Sequence, residues 1–438
     1  GMREGYIGFS TDALPFHYLA NKPNTDKTIP TQFADYDELH ALTSIVRRWD
    51  RLWQATPAKD DPKAVLKNFL LSSGRLHGKP LKVTAVAAID PWMSRTILPM
   101  GLLLARVLNS RWFRGRFRLQ ALAASFKVWA DGVVTPLTEE VPVLRRLNEL
   151  DLEDRAGRLK LMHDPAWVAE FRAMWHRGKR GFNLARLLYK LRLDHNVLSR
   201  DLRDMHVDTC PVADWNGETF HAVYRRLRTW QTNGEGARSD SEREAFRSFP
   251  DGCDDADFVL HLLRRYDTDL RWWEVTANRN ARRTKKLLFN PRLLPGFNDS
   301  GAHLTNMAFY DGNLRMLKMA QEDGLERVAH AVHRLTREPA DFLGLDAGRL
   351  EIGARADLAL VDPQALAAWN PEDTYRYVWR DCFEHHQIVN RPDGVVRGVM
   401  IAGQFAWRDG AYVPEYGARR FGSVMRHRDH AQGVPVAA

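Results

Sequence analysis

Apolar and polar positions along the chain fall into short β-type runs separated by amphipathic helical stretches. Gly5-Tyr-Ile-Gly-Phe-Ser-Thr-Asp12 is an apolar run bounded by glycine and polar residues, the pattern of a buried strand entering a loop. Apolar residues then recur at helical spacing over 36–49, a short strand is predicted at 52–56, and a second helix at 61–71. The alternation returns with Leu81-Lys-Val-Thr-Ala-Val-Ala-Ala-Ile89, a run suited to a strand covered on both faces, and with a further strand over 116–124. Strands alternating with helices predict a parallel α/β barrel or a doubly wound sheet. The first strand has no cap or linker before it, so the front of the core is expected upstream of residue 1.

From about 141 to 290 the pattern is mostly helical with arginine-rich faces, which predicts an insertion over the barrel. Residues 293–299 read as a strand ending in Asp299, 300–303 as a tight loop, and 317–335 as one amphipathic helix. Around 348–363 and 395–403 the period changes to alternation between turn residues, the mark of half-buried antiparallel strands. The expected organisation is a barrel portion at 1–345, with its helical insertion near 141–290, followed by a small β-sandwich domain and tail at 346–438.

Composition changes this picture little. With 44% apolar residues, fourteen Trp and twenty Phe, the 438-residue chain is globular and long enough for more than one domain. Its net charge of +9 raises the question of an anionic partner, but the densest basic stretches, 111–118 and 279–286, accompany no nucleic-acid-binding motif and read as solvated faces. Three widely spaced cysteines, Cys210, Cys253 and Cys382, argue against a disulfide framework and for a reducing compartment. No secretory pattern opens the chain and no apolar run suffices to span a bilayer, so a cytoplasmic protein with neither membrane nor nucleic-acid partner is expected.

The C-terminal third is the most specific part. Thr336-Arg-Glu-Pro-Ala-Asp-Phe-Leu-Gly-Leu345, then Gly348-Arg-Leu-Glu-Ile-Gly-Ala-Arg-Ala-Asp-Leu-Ala-Leu-Val-Asp362, then Val399-Met-Ile-Ala-Gly-Gln-Phe-Ala-Trp-Arg-Asp-Gly410 resembles the ending shared across the amidohydrolase superfamily. Met2-Arg-Glu-Gly-Tyr-Ile-Gly-Phe-Ser-Thr11 and Gly296-Phe-Asn-Asp-Ser-Gly-Ala-His303 are similar to the D-aminoacylase (N-acyl-D-amino-acid deacylase) branch. The resemblance implies a (β/α)8 TIM-type barrel, present here as strands four to eight only, with a small C-terminal β-sandwich. It implies hydrolysis of an amide bond in a small molecule such as an N-acyl-D-amino acid, by a zinc-bound water and a carboxylate at the end of the eighth strand that shuttles its proton.

Asp299 matches that carboxylate, as acid/base group and as metal contact; an Asp before Ser-Gly is also a common loop cap. His303, in the same loop, is placed either to touch Asp299 or substrate, or to support the turn. Asn298 stands where the family usually has serine. His17, His163 and the pair His385 and His386 lack metal-ligand spacing and read as structural or exposed. The branch's His-x-His pair would lie upstream of Gly1, and the places of the next two histidine ligands hold Trp53-Gln-Ala-Thr-Pro57 and Val83-Thr-Ala-Val-Ala-Ala-Ile-Asp90. Asp90 stands there either as a substitute oxygen ligand or as a turn former before Pro91. Two alternatives therefore stand beside the deacylase: a metal-free amidohydrolase-fold binding or structural subunit, and a cyclic-amide hydrolase of hydantoinase type. An unpaired first strand further predicts a homo-oligomer.

Overall fold

The computed structural model describes residues 1–431 apart from 15–16, 18–23, 25–26, 59–60, 152 and 194–197. Among these residues the strands are β1 (Gly8–Asp12), β2 (Leu52–Thr56), β3 (Lys82–Ala88), β4 (Arg116–Ala121), β5 (Phe126–Asp131), β6 (His206–Thr209), β7 (Arg271–Ala277), β8 (Leu293–Pro295), β9 (Leu358–Val361), β10 (Tyr375–Arg380), β11 (His385–Asn390), β12 (Val396–Ile401), β13 (Gln404–Arg408) and β14 (Ala411–Tyr412). The mixed α/β fold is built on a five-stranded, all-parallel sheet of order β1-β2-β3-β4-β8.

Register explains why this sheet forms. Phe9, Trp53, Val83 and Phe117 lie side by side in one row across four strands, and the next row is Ser10, Gln54, Thr84 and Arg118. The apolar row packs on the covering helices through Leu39, Phe69, Ala105, Leu108 and Met316, each large buried side chain contributing about 1.5–3 kcal/mol. The polar row occupies the other face, where Arg118 pairs with Glu338 at 3.3 Å. The helices start where short side chains can satisfy their first amides: Asp35 accepts the Glu38 amide before Tyr36–Arg48, and Asp61 accepts two amides before Pro62–Phe69.

Gly8 lets β1 approach β2. A Cβ there would stand 1.9 Å from the Leu52 carbonyl oxygen, a backbone atom that cannot turn aside. Gly8→Ala should therefore cost about 1–3 kcal/mol in denaturant unfolding by prying the β1–β2 pairing apart; an unchanged midpoint would mean that β1 does not hold this register.

Several expectations are corrected. The segment 141–290 is not simply helical: β6 and β7 join β5 in an antiparallel sheet of order β5-β7-β6, covered on one face by helices including Pro165–His176 and Asp255–Tyr266. The strand before Asp299 ends at Pro295, so Asp299 sits four residues beyond it. The stretch 317–335 lies in two helices, Gly312–Gln321 and Leu325–Leu335, broken where Gly324 takes a positive φ of 93°. Toward the C-terminus lie a four-stranded antiparallel sheet of order β14-β13-β12-β9 and the separate hairpin β10–β11. The three cysteines are free thiols, and among the described residues no helix is long and apolar enough to cross a membrane.

Glu274, on the middle strand β7, is fully buried; its Oε1 accepts the Ser199 amide at 3.2 Å and its Oε2 has no partner. Burial raises its pKa well above the ordinary value, against the pull of the Ser199 amide. A carboxyl with a raised folded pKa gives its stability below the unfolded pKa and loses it as pH rises through the folded one. Glu274→Gln should flatten this decline and make the protein more stable than wild type at pH 8, by on the order of 1 kcal/mol. Urea titrations at pH 5 and pH 8 with the same difference at both would refute a neutral Glu274.

Candidate active site

The loops that follow β1 and β8 carry the site. Laid flat, the five strands would separate these two outermost loops by about 19 Å. Instead the charge of Asp299, beyond β8, acts on His17, beyond β1, as do those of Asp12 and Glu139. Both loops leave the C-terminal ends of their strands, where parallel α/β sheets keep their chemistry.

Asp12 closes β1. Its backbone amide donates to Thr31 Oγ1 (3.1 Å), whose hydroxyl donates back to the Asp12 carbonyl (3.0 Å), and its carboxylate accepts the Leu14 amide (3.0 Å) and contacts His17 Nδ1. Gln32 Nε2 donates to the carbonyls of Leu14 and His17, both at 2.6 Å, fixing the bend. Burial opposes protonation of His17, but the hydrogen bond its ring donates to Asp12 and the charges of Asp12, Glu139 and Asp299 outweigh it, so its pKa is raised. Glu139 is pushed up by burial, against His17 and Arg145.

Asp299 lies half exposed, its Oδ2 3.8 Å from His303 Nε2, while the His303 carbonyl accepts the Asn306 and Met307 amides within the loop, so both readings of His303 have a geometric counterpart. The His303 pKa is lowered, burial outweighing the Asp299 charge while His17 adds to the fall. Two imidazoles thus flank one region with opposite biases, His17 toward the charged form and His303 toward the neutral one. Neither Asp12 nor Glu139 stands out in the sequence, and His17 reads there as structural or exposed. The available signals were the acidic end of the first strand and a histidine five residues later, a pairing only tertiary contact can establish.

The other candidates do not join them. Asp90 pairs with Arg283 at 2.9 Å, and its backbone amide and carbonyl bond Asn278 (2.9 and 3.0 Å), the turn-forming alternative to metal ligation. His163 Nδ1 meets the Leu159 carbonyl (2.8 Å) on its own helix, and His385 and His386 lie exposed on β11.

Among the described residues no set of three zinc ligands assembles around Asp299. Among the described residues the grouping with metal-ligand spacing is His176, Asp254 and Asp255, between two helices of the insertion. Its charges are already met: Asp254 by Arg172 (2.9 Å) and Arg180 (3.2 Å), Asp255 by Lys179 (2.7 Å) and the Trp175 indole (3.0 Å). Asp299 and His303 alone are two ligands where a zinc site takes three or four. The side chains near Asp299 therefore do not fit the metal that the resemblance implies, and Asp299 as a metal ligand gains no support.

Residues 279–405 match the amidohydrolase family, a segment that includes Asp299 and His303. Uncharacterized proteins of Mycobacterium tuberculosis and Mycobacterium bovis are 27% identical over 422 residues, covering 94% of this chain; the chain spans 62% of their length. Among solved structures, two of D-aminoacylase superpose with TM-scores of 0.47 and 0.44 at 13% identity, each over 97% of this chain and 64% of the other; the first is described for the functional role of its binuclear metal centre.

Proposed function

We propose that the protein is an amidohydrolase, a hydrolase of amide bonds in small molecules with N-acyl-D-amino acids as its substrate class, a reading supported by the match of residues 279–405 to the amidohydrolase family. The observation that carries this reading is that the matched segment contains Asp299 and His303, at the end of a parallel sheet where His17 and Asp12 also converge. In this reading the Asp299 carboxylate takes a proton from the attacking water as the water oxygen bonds the acyl carbon. The C–N bond then breaks with its electron pair on nitrogen, and the same proton passes from Asp299 to that nitrogen, giving a carboxylic acid and an amine. His303, biased neutral, accepts a hydrogen bond, and His17, biased cationic, stabilises the developing negative charge. Residues 346–438 serve as an accessory β unit.

The test is hydrolysis of N-acetyl-D-amino acids, with L-isomers and a hydantoin alongside, each with and without added zinc. Turnover of the D-isomers is expected. No release of free amine under any of these conditions would overturn the reading. The donor set at Asp299 favours a second reading, a binding protein that engages the same ligands without turnover. Thermal stabilisation by the N-acetyl-D-amino acid with no product formed would establish it.

A further inference from the structure

The loop that bears Asp299 and His303 is held by the hairpin β10–β11, far along the chain at Tyr375–Asn390. Ser300 is fully buried; its hydroxyl accepts the Phe309 amide (2.6 Å) and its carbonyl accepts the Tyr310 hydroxyl (2.9 Å). The Tyr310 oxygen accepts in turn from Gln387 Nε2 on β11 (2.6 Å), and the next β11 residue, Ile388, donates its amide to the Leu304 carbonyl (2.8 Å). A row of bonds thus runs from β11 to the residue beside Asp299.

The other strand holds the far end of the loop. Arg315, on the helix Gly312–Gln321, donates to Asp311 (2.7 Å), which closes the loop, and to the Tyr375 hydroxyl at the start of β10 (3.0 Å), with Glu372 at 3.4 Å. The Tyr375 ring meets Trp129 of β5 edge-on at 4.9 Å, and Asn306, in mid-loop, exchanges two 2.9 Å hydrogen bonds with the Trp129 backbone. Beginning, middle and end of the loop are therefore tied to β10–β11 or to the sheet on which that hairpin rests.

We propose that the β10–β11 hairpin is the positioning element of the Asp299–His303 turn, with Gln387 and Tyr310 as its positioning residues. A half-exposed carboxylate on a loop four residues past its strand has no rigidity of its own, and an acid/base group must be held to within a fraction of an ångström. The hairpin supplies that restraint through the buried Ser300, one residue away. Its effect on turnover rests on the hydrolase reading above; its effect on the loop does not.

Gln387→Met keeps length and burial but removes the donor, and Tyr310→Phe removes only the hydroxyl. Each deletes hydrogen bonds worth about 1 kcal/mol, so amide exchange at Ala302 and Phe309 should accelerate about fivefold or more, with the amides of β2 and β3 unchanged. Where N-acetyl-D-amino acid is turned over, kcat should fall about tenfold at constant KM. Unaltered exchange at Ala302 and Phe309 in both variants overturns the proposal, and so does faster exchange spread evenly into β2 and β3, which would make the hairpin a general support. A wild-type chain that hydrolyses nothing defeats the hydrolase reading instead, and the exchange measurement still decides the positioning role.

Discussion

Arg158→Met should destabilise the protein by about 3–5 kcal/mol, the usual cost of stripping one partner from a buried ion pair. Arg158 and Asp267 are both almost completely buried and meet in a two-pronged pair, Nε to Oδ1 at 3.0 Å and Nη2 to Oδ2 at 2.7 Å. The pair joins the helix Arg155–His163 to the end of the helix Asp255–Tyr266. It also locks a turn: at Gly132, with φ 61°, a Cβ would lie 2.5 Å from the Asp267 carbonyl oxygen, so this junction has no slack. Losing the guanidinium leaves a buried carboxylate stripped of its two-pronged partner. Asp267→Asn is the informative companion, because asparagine tolerates the positive φ of 46° at this position and only the charge is lost. The double variant should recover part of the loss, since removing both charges removes the uncompensated one. Single variants within 1 kcal/mol of wild type would show that water reaches the pair.

How much of this architecture the sequence discloses depends on the range of the contacts involved. The strands β1 to β4 and their helices are legible because each is specified locally, by a period of two or of 3.6 and by caps such as Asp35 and Asp61. The sheet β5-β7-β6 is not. Its strands lie up to about 145 residues apart, and Lys127, Trp129 and Asp208 break the apolar alternation because their face of the sheet meets Glu372, Tyr375 and, through Arg271, Tyr377, at and just before β10. The same reasoning applies to the site. Asp299 and His303 stand four residues apart in one loop and are legible together, whereas Asp12 and His17 belong to the loop after the strand at the opposite edge of the sheet, a relation that no local pattern records. Glu139 arrives from beyond β5, a strand the pattern did not disclose.

Asp299→Asn should lower turnover of an N-acyl-D-amino acid by about a hundredfold to ten-thousandfold, the range set by removing a positioned acid/base group. Asparagine keeps the size of the side chain and part of its hydrogen bonding, so the turn should survive; amide exchange at Ala302 and Phe309, unchanged from wild type, is the control. The expected fall lies in kcat with KM nearly constant, because a proton shuttle acts in the transition state and not in ground-state binding. Zinc content measured in both proteins separates two roles for the carboxylate. Lost turnover with unaltered zinc assigns it to proton transfer, and loss of both assigns it to ligation beside His303, whose Nε2 lies 3.8 Å away. Near-normal turnover would return Asp299 to the loop-capping role that its neighbours Ser300 and Gly301 already allow, and would move the search for the acid/base group to Asp12 and His17, the carboxylate and imidazole already in contact on the opposite edge of the sheet.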